Sequence, residues 1–284
     1  MTQQVPVFRD VASLRAQVAA WKRAGEKVAL VPTMGALHAG HVSLVHAARA
    51  HASRVVASIF VNPTQFAPNE DFSAYPRTME ADLARLAAVD GDGCFAPTVP
   101  EMYHAGFATT VSLTGPASAG LEDRFRPTHF SGVATVVAKL LIQAQADFAM
   151  FGEKDYQQLK VVTRMAEDLD IPTRIIGCAT AREADGLALS SRNVYLSPEE
   201  RATAPALHRA LCAAAEQISQ GVAVAGPMAQ AMQAVEAVGF VVDYIEARHA
   251  ETLAPVVSVA DGPVRLLAAA RLGKTRLIDN IAVA

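Results

Sequence analysis

KVALVPTMGALHAGH, residues 27–41, passes from an apolar run through a turn rich in glycine and histidine toward a helix. Residues 27–31 form a short, continuous apolar stretch stopped by Pro32, the pattern of a strand buried on both faces of a parallel sheet. Residues 42–51 return to helical spacing. The turn between them has phosphate-binding character. Gly35 and Gly40 carry no Cβ and let backbone approach a ligand closely. His38 and His41, three apart at a helix start, can point the same way. Exposed N–H groups and the helix dipole add positive potential at that corner.

The same grammar repeats outward. Helical spacing covers residues 11–22 and is stopped by Gly25. Strand-like runs at 54–61, 93–96, 109–113, 147–151 and 173–177 alternate with helical segments at 78–89, 133–145 and 155–169. This alternation implies an α/β fold, a Rossmann-like doubly wound parallel sheet. The texture then changes. Helical segments at 198–219 and 227–238 precede strands at 240–246, 264–270 and 275–281. The expected division is residues 1–185 as a Rossmann-like domain carrying the candidate binding turns and 186–284 as a smaller C-terminal α+β lid domain.

Composition narrows the function classes. Of 284 residues, 51% are hydrophobic and 19% charged, enough apolar content for a sizeable core. A net charge of −3 and a pI near 6.2 argue against a general nucleic-acid binder. Cys94, Cys178 and Cys212 are widely spaced and include no CxxC pair, so buried, reduced thiols are expected rather than disulfides or zinc. The opening MTQQVPVFRD lacks a basic segment followed by an apolar one, so a cytoplasmic protein without a leader is expected.

Three further clusters fall at strand ends. Asn62-Pro63 reads as a turn, but Gln65 offers a neutral amide suited to a hydroxyl or carboxylate. In Gly152-Glu153-Lys154-Asp155, Lys154 can set an ammonium against phosphate oxygens and Asp155 can cap the next helix. Gln158 lies one turn on. Ser190, Ser191 and Arg192 supply two hydroxyls and a guanidinium for phosphates, although taken alone the segment reads better as a loop with helix-capping serines.

Taken in order, PTMGALHAGH (32–41), SIFVNPTQF (58–66), AYPRT (74–78), RPTHFSGV (126–133), FGEKDYQQL (151–159), DGLALSSRNVYL (185–196) and RLIDN (276–280) closely resemble the pantothenate synthetases. HAGH also resembles the signature of the wider nucleotidyltransferase superfamily. Two positions depart from the family's usual pattern, Thr64 and Thr128, and neither is assigned to the chemistry. The resemblance implies ATP-dependent joining of pantoate to β-alanine through a pantoyl-adenylate, with Mg²⁺ on the phosphates and a homodimer. It places ATP against Met34, Gly35, Ala36, Leu37, His38, Ala39, Gly40 and His41. The nucleotide also meets Gly152, Glu153, Lys154, Asp155, Ala181, Leu189, Ser190, Ser191 and Arg192. Gln65 and Gln158 would hold pantoate, Gln65 also β-alanine, and His41 is the family's proton donor, with His38, Lys154 and Arg192 beside it in the catalytic set. No dedicated metal cage is expected. The rival readings are a transferase that keeps the nucleotide in its product, against which NPTQF and the paired glutamines speak, and a non-catalytic nucleotide binder.

Overall fold

The computed structural model describes residues 4–66 and 72–283; residues 1–3, the first part of the stretch read as leaderless, lie outside it. Six parallel strands form the main sheet: β1 (Val7–Phe8), β2 (Val28–Thr33), β3 (Arg54–Ile59), β4 (Gly93–Phe95), β5 (Phe148–Gly152) and β6 (Arg174–Cys178). The connecting helices are α1 (Val11–Arg23), α2 (Ala39–Arg49), α3 (Met79–Ala88), the short α4 (Val99–Met102) and α5 (Glu122–Phe125), then α6 (His129–Ala144) and α7 (Tyr156–Asp168). One sheet face packs on α1, α6 and α7, the other on α2 and α3, so β2 is apolar over four successive residues because both of its faces are covered. The strand order is β1-β4-β3-β2-β5-β6. From β2 the chain builds outward through β3 and β4 on one side, and β5 and β6 add to the other. The order therefore reverses between β2 and β5, and a crevice opens at the carboxyl ends of those two strands, where doubly wound sheets bind ligands.

A second, antiparallel sheet follows: β7 (Phe240–His249), β8 (Val264–Leu272) and β9 (Thr275–Ala282), in that order. With α8 (Pro198–Thr203), α9 (Ala206–Ser219) and α10 (Ala225–Glu236) it encloses its own core around Leu211, Ile218, Val235 and Leu266. Polar groups at the junction tie this unit to the first. Arg276 on β9 grips both oxygens of Glu122 at 2.8 and 2.9 Å and reaches Asp243 at 2.6 Å. The Tyr244 hydroxyl donates to the same Glu122 at 2.9 Å. Among the described residues, no helix is long and apolar enough to cross a membrane.

Several elements differ from the sequence reading. Residues 109–113 form no strand, because the Val111 amide donates to the Thr135 hydroxyl at 2.9 Å instead of to a neighbouring strand. The helix expected over 198–219 is two helices, broken at Pro205, which cannot donate a helical N–H. Helix α6 begins four residues early because its first turn, with His129, Phe130 and Gly132, is also buried. Cys94 and Cys178 are buried as expected, whereas Cys212 is exposed.

Candidate active site

Local chemistry builds the crevice. β2 ends at Thr33, and the following turn is pinned from beneath by Asp82, which is fully buried and accepts the Ala36 and Leu37 amides at 3.0 and 2.8 Å. Helix α2 then opens on His38. Its Nδ1 accepts the Gly40 amide at 3.1 Å, while His41 Nδ1 accepts the His38 amide at 3.3 Å. Both are reciprocal capping contacts of the kind serine and glutamate usually make. A Cβ on Gly40 would lie 2.9 Å from the His38 ring, so the contact needs glycine there.

These caps fix the tautomers. With Nδ1 accepting in each ring, the proton sits on Nε2. Burial, helped by the neighbouring His38 ring, holds the His41 imidazole down to about 3. Burial first and the Lys154 charge second also lower His38. Both rings therefore line the crevice as neutral N–H donors, 4.1 Å apart centre to centre.

Most of the other predicted residues converge on the same crevice. A cavity of about 240 Å³ is lined by Met34, His38, Gly40, His41, Gln65, Gly152, Lys154, Asp155, Gln158, Ala181, Leu189, Ser190, Ser191 and Arg192. Ser190 is also a cap, accepting the Arg192 amide at 3.2 Å. The Ala181 carbonyl accepts the Leu189 amide at 2.9 Å, which ties it to the segment leading into Ser190. Asp155 stands at the N-cap of α7 but makes no side-chain cap bond, contrary to its capping role; it is left exposed at the cavity. Gly35, Ala36, Leu37, Ala39 and Glu153 do not line the cavity. The first four form the pinned turn or the first helical residue behind it. The Glu153 carboxylate is drawn away to Arg265 at 2.9 Å.

Other groups in the cavity carried no role in the sequence reading. Asn62 is buried and more than a turn. It donates to the Gln65 side-chain oxygen at 3.1 Å and to the Gly132 carbonyl at 3.3 Å, and it accepts the Tyr103 hydroxyl at 2.8 Å. This sets which end of the Gln65 amide is the donor. Gly132 allows α6 to press on the same turn, since a Cβ there would meet the Thr64 carbonyl at 2.3 Å. Arg126 and His129 both hydrogen-bond the Gln65 carbonyl, at 3.3 and 2.9 Å. Phe60, with Val133, Val136, Val137 and Leu140 farther along α6, adds an apolar wall to the same cavity. Only the quoted RPTHFSGV stretch held a signal for Arg126 and His129.

A larger cleft of about 870 Å³ continues from Lys154, Gln158, Ser190 and Arg192 to the β8–β9 hairpin. Strand β9 clamps two sides of the site. Asn280 donates to the carbonyls of Glu153 and Lys154, each at 2.9 Å. Asp279 takes both ends of Arg182 at 2.7 and 2.9 Å, and Arg182 donates to the Gly186 carbonyl at 3.1 Å. The RLIDN stretch thereby holds both the lysine turn and the base of the serine–arginine loop.

The family model for pantoate-beta-alanine ligase matches residues 6–282. Pantothenate synthetase 2 of Bradyrhizobium diazoefficiens is 60% identical over the full length of both chains, and a pantothenate synthetase of Rhodopseudomonas palustris 56%. Among solved structures, pantothenate synthetase from Thermus thermophilus superposes with a TM-score of 0.93 at 50% identity, covering 98% of this chain and 99% of that one. Pantoate-beta-alanine ligase from Francisella tularensis, solved with beta-gamma ATP and beta-alanine, gives 0.82 at 32% identity over 98% and 97%. Sequence, fold and the assembled cavity lead to one assignment: the chain belongs to the pantoate–β-alanine ligase family.

Proposed function

We propose that the chain condenses pantoate with β-alanine at the expense of ATP, through a pantoyl-adenylate, releasing AMP and pyrophosphate. The observation that carries this reading is the cavity's two-sided chemistry. Phosphate-binding groups (His38, His41, Lys154, Ser190, Ser191 and Arg192) share one space with two glutamine amides and an apolar wall. A transferase that merely joins a nucleotide to a second phosphate would have no use for that second half. Pantoate, a branched hydroxy acid, matches it: its methyl groups suit Val133, Val136 and Leu140, and its oxygens suit Gln65 and Gln158.

In the first half-reaction the pantoate carboxylate attacks the α-phosphorus of ATP. The carboxylate is already ionised, so the protein supplies alignment and charge neutralisation. Neutral Nε2–H donors on His38 and His41 and the Lys154 ammonium meet the developing negative charge. Mg²⁺ would ride on the phosphates and keep much of its water shell. Asp155 is the only carboxylate among the described residues lining the cavity and would face those waters. When bound, the ion supplies charge neutralisation.

In the second half-reaction the β-alanine amine attacks the acyl carbon beside Gln65. The two histidines have their acceptor nitrogens turned back to the chain, so neither presents a lone pair to the amine. Its proton leaves through a phosphate oxygen of the departing AMP or through water. We further propose a division near Gly186, with the C-terminal unit bearing on the nucleotide, and a cytoplasmic homodimer.

The test is an assay with pantoate, β-alanine and ATP, omitting each in turn. AMP and pantothenate should form only with all three, and pyrophosphate exchange into ATP should need pantoate but not β-alanine. A product that retains the nucleotide would overturn the reading. Within it, Gln65→Ala is expected to weaken pantoate binding about tenfold to a hundredfold, the range for one or two hydrogen bonds lost in a shielded site, while leaving ATP binding nearly unchanged. Calorimetry with each ligand separately reads the difference, and equal losses would remove Gln65 from the pantoate side.

A further inference from the structure

The residue that orients Gln65 is itself held in one orientation. Asn62 is 1% exposed. Its Oδ1 faces three groups that can donate: the Tyr103 hydroxyl at 2.8 Å, the Thr64 hydroxyl at 3.0 Å and the Thr64 amide at 3.3 Å. Its Nδ2 faces two acceptors, Gln65 Oε1 at 3.1 Å and the Gly132 carbonyl at 3.3 Å. A backbone amide can only donate and a backbone carbonyl can only accept, so turning Asn62 over would set like against like at both ends. Gln65 inherits this order. Its Oε1 is engaged by Asn62, and its Nε2 donates to the Met34 sulfur, a weak acceptor, at 3.1 Å. Nε2 has a second N–H left for the cavity that Gln65 lines.

Tyr103 makes the shortest of the Asn62 contacts, yet it does not line the cavity. It follows the short helix α4, and its ring lies against Phe60 and Phe107 at centroid distances of 6.2 and 5.1 Å. Its hydroxyl also touches that of Thr64 at 3.3 Å, so the two hydroxyls and Asn62 Oδ1 close a triangle. Burial pushes the Tyr103 phenol up, against the pull of the Thr64 hydrogen bond, so the phenol keeps its proton and donates. We propose that Tyr103, assisted by Thr64, is a positioning residue for the hydroxy-acid substrate: through Asn62 it holds the Gln65 amide with N–H toward the substrate's carboxylate or hydroxyl oxygens. The inference rests on the reading of this cavity as the pantoate site. A carboxylate can only accept, so a Gln65 amide free to turn over would at times set its carbonyl oxygen against that charge. Removing the shortest donor from a buried amide oxygen loosens the one group that prevents this turn.

The test is Tyr103→Phe in the full chain, which removes one oxygen and keeps the ring. The pantoate KM is expected to rise about threefold to tenfold, a fraction of one buried hydrogen bond, with kcat and the ATP KM within about twofold of wild type. Calorimetric titration with pantoate should show the same loss without turnover. Thr64→Val, which keeps the shape and removes the hydroxyl, should move the pantoate KM in the same direction by a smaller factor. The decisive comparison is made in a Gln65→Ala background. There Tyr103→Phe should leave the pantoate KM where Gln65→Ala alone puts it, because the residue through which Tyr103 acts is gone. An unchanged pantoate KM in Tyr103→Phe, an equal rise for ATP and pantoate, or the same penalty with and without Gln65 would each overturn the proposal. A wild-type chain with no pantoate turnover would overturn the pantoate reading and this proposal with it. That failure is told apart from the other three because it shows before any substitution is made.

Discussion

His41→Ala is expected to lower pantoate-dependent pyrophosphate release by about 10²–10³, the usual cost of one donor aimed at developing charge. The fold should survive. The ring's one cap bond, to the His38 amide at 3.3 Å, is long, and α2 retains the shorter His38–Gly40 contact. Near-normal release from the variant would remove His41 from the chemistry. The tautomer argument adds a second reading. Burial and the adjacent His38 hold His41 down to about 3, so the free protein gains no cation there between pH 8 and 5. His41→Gln, which keeps a neutral N–H donor, should therefore recover part of the lost rate. An imidazolium acid would not be replaced by an amide, so no recovery at all would argue for the charged form. ATP itself changes the balance: phosphates arriving beside two lowered histidines raise their proton affinity, and proton uptake on binding measures by how much.

Arg276→Ala is expected to destabilise the chain by about 3–5 kcal/mol, because it strips the cation from the buried Glu122 carboxylate and from the partly buried Asp243 beside it. Glu122 and Asp243 would lose three charge-assisted bonds together. Urea denaturation reads this as a fall in midpoint, and a shift under about 1 kcal/mol would mean that water enters the junction freely. The sign with pH follows from Glu122. Burial alone would raise its carboxyl, but the Arg276 hydrogen bonds outweigh that and hold it below the usual glutamate range. A lowered folded value contributes stability that is complete above the unfolded value, about 4.3, and fades as pH falls through the folded one. The wild type should weaken below about pH 4, and Arg276→Ala should lose the part of that slope due to Glu122.

The sheet was legible because its signals are local. Apolar runs at 27–31 and 54–61 locate β2 and β3, although β2 passes through Pro32 to Thr33, which still pair with Ser58 and Ile59, and β3 already ends at Ile59, ahead of Asn62-Pro63. The histidine and lysine side of the cavity was legible for the same reason, since its residues sit in the turns after strands. What escaped depends on contacts distant in sequence. Gln157 and Gln158 are neighbours of one type, yet Gln157 is buried and bonded to Pro116 and Asp123, while Gln158 faces the cavity. Nothing local separates them. Asp82 lies 45 residues from the Leu37 amide it holds, and Tyr103 lies 41 from Asn62. The missing strand at 109–113 has strand composition but no edge to pair with, because Thr135 takes its amide.

The two clamps on β9 have a geometric corollary. Asp279 and Asn280 are consecutive, and consecutive side chains on a strand point to opposite sides. One reaches the base of the serine–arginine loop through Arg182, and the other reaches the lysine turn. The two segments gripped on either side of the cavity are thus both tied to a single peptide unit, whose Cα–Cα length of about 3.8 Å does not stretch. The strand works as a fixed gauge: side chains choose what is gripped, and covalent backbone sets how wide the grip can be.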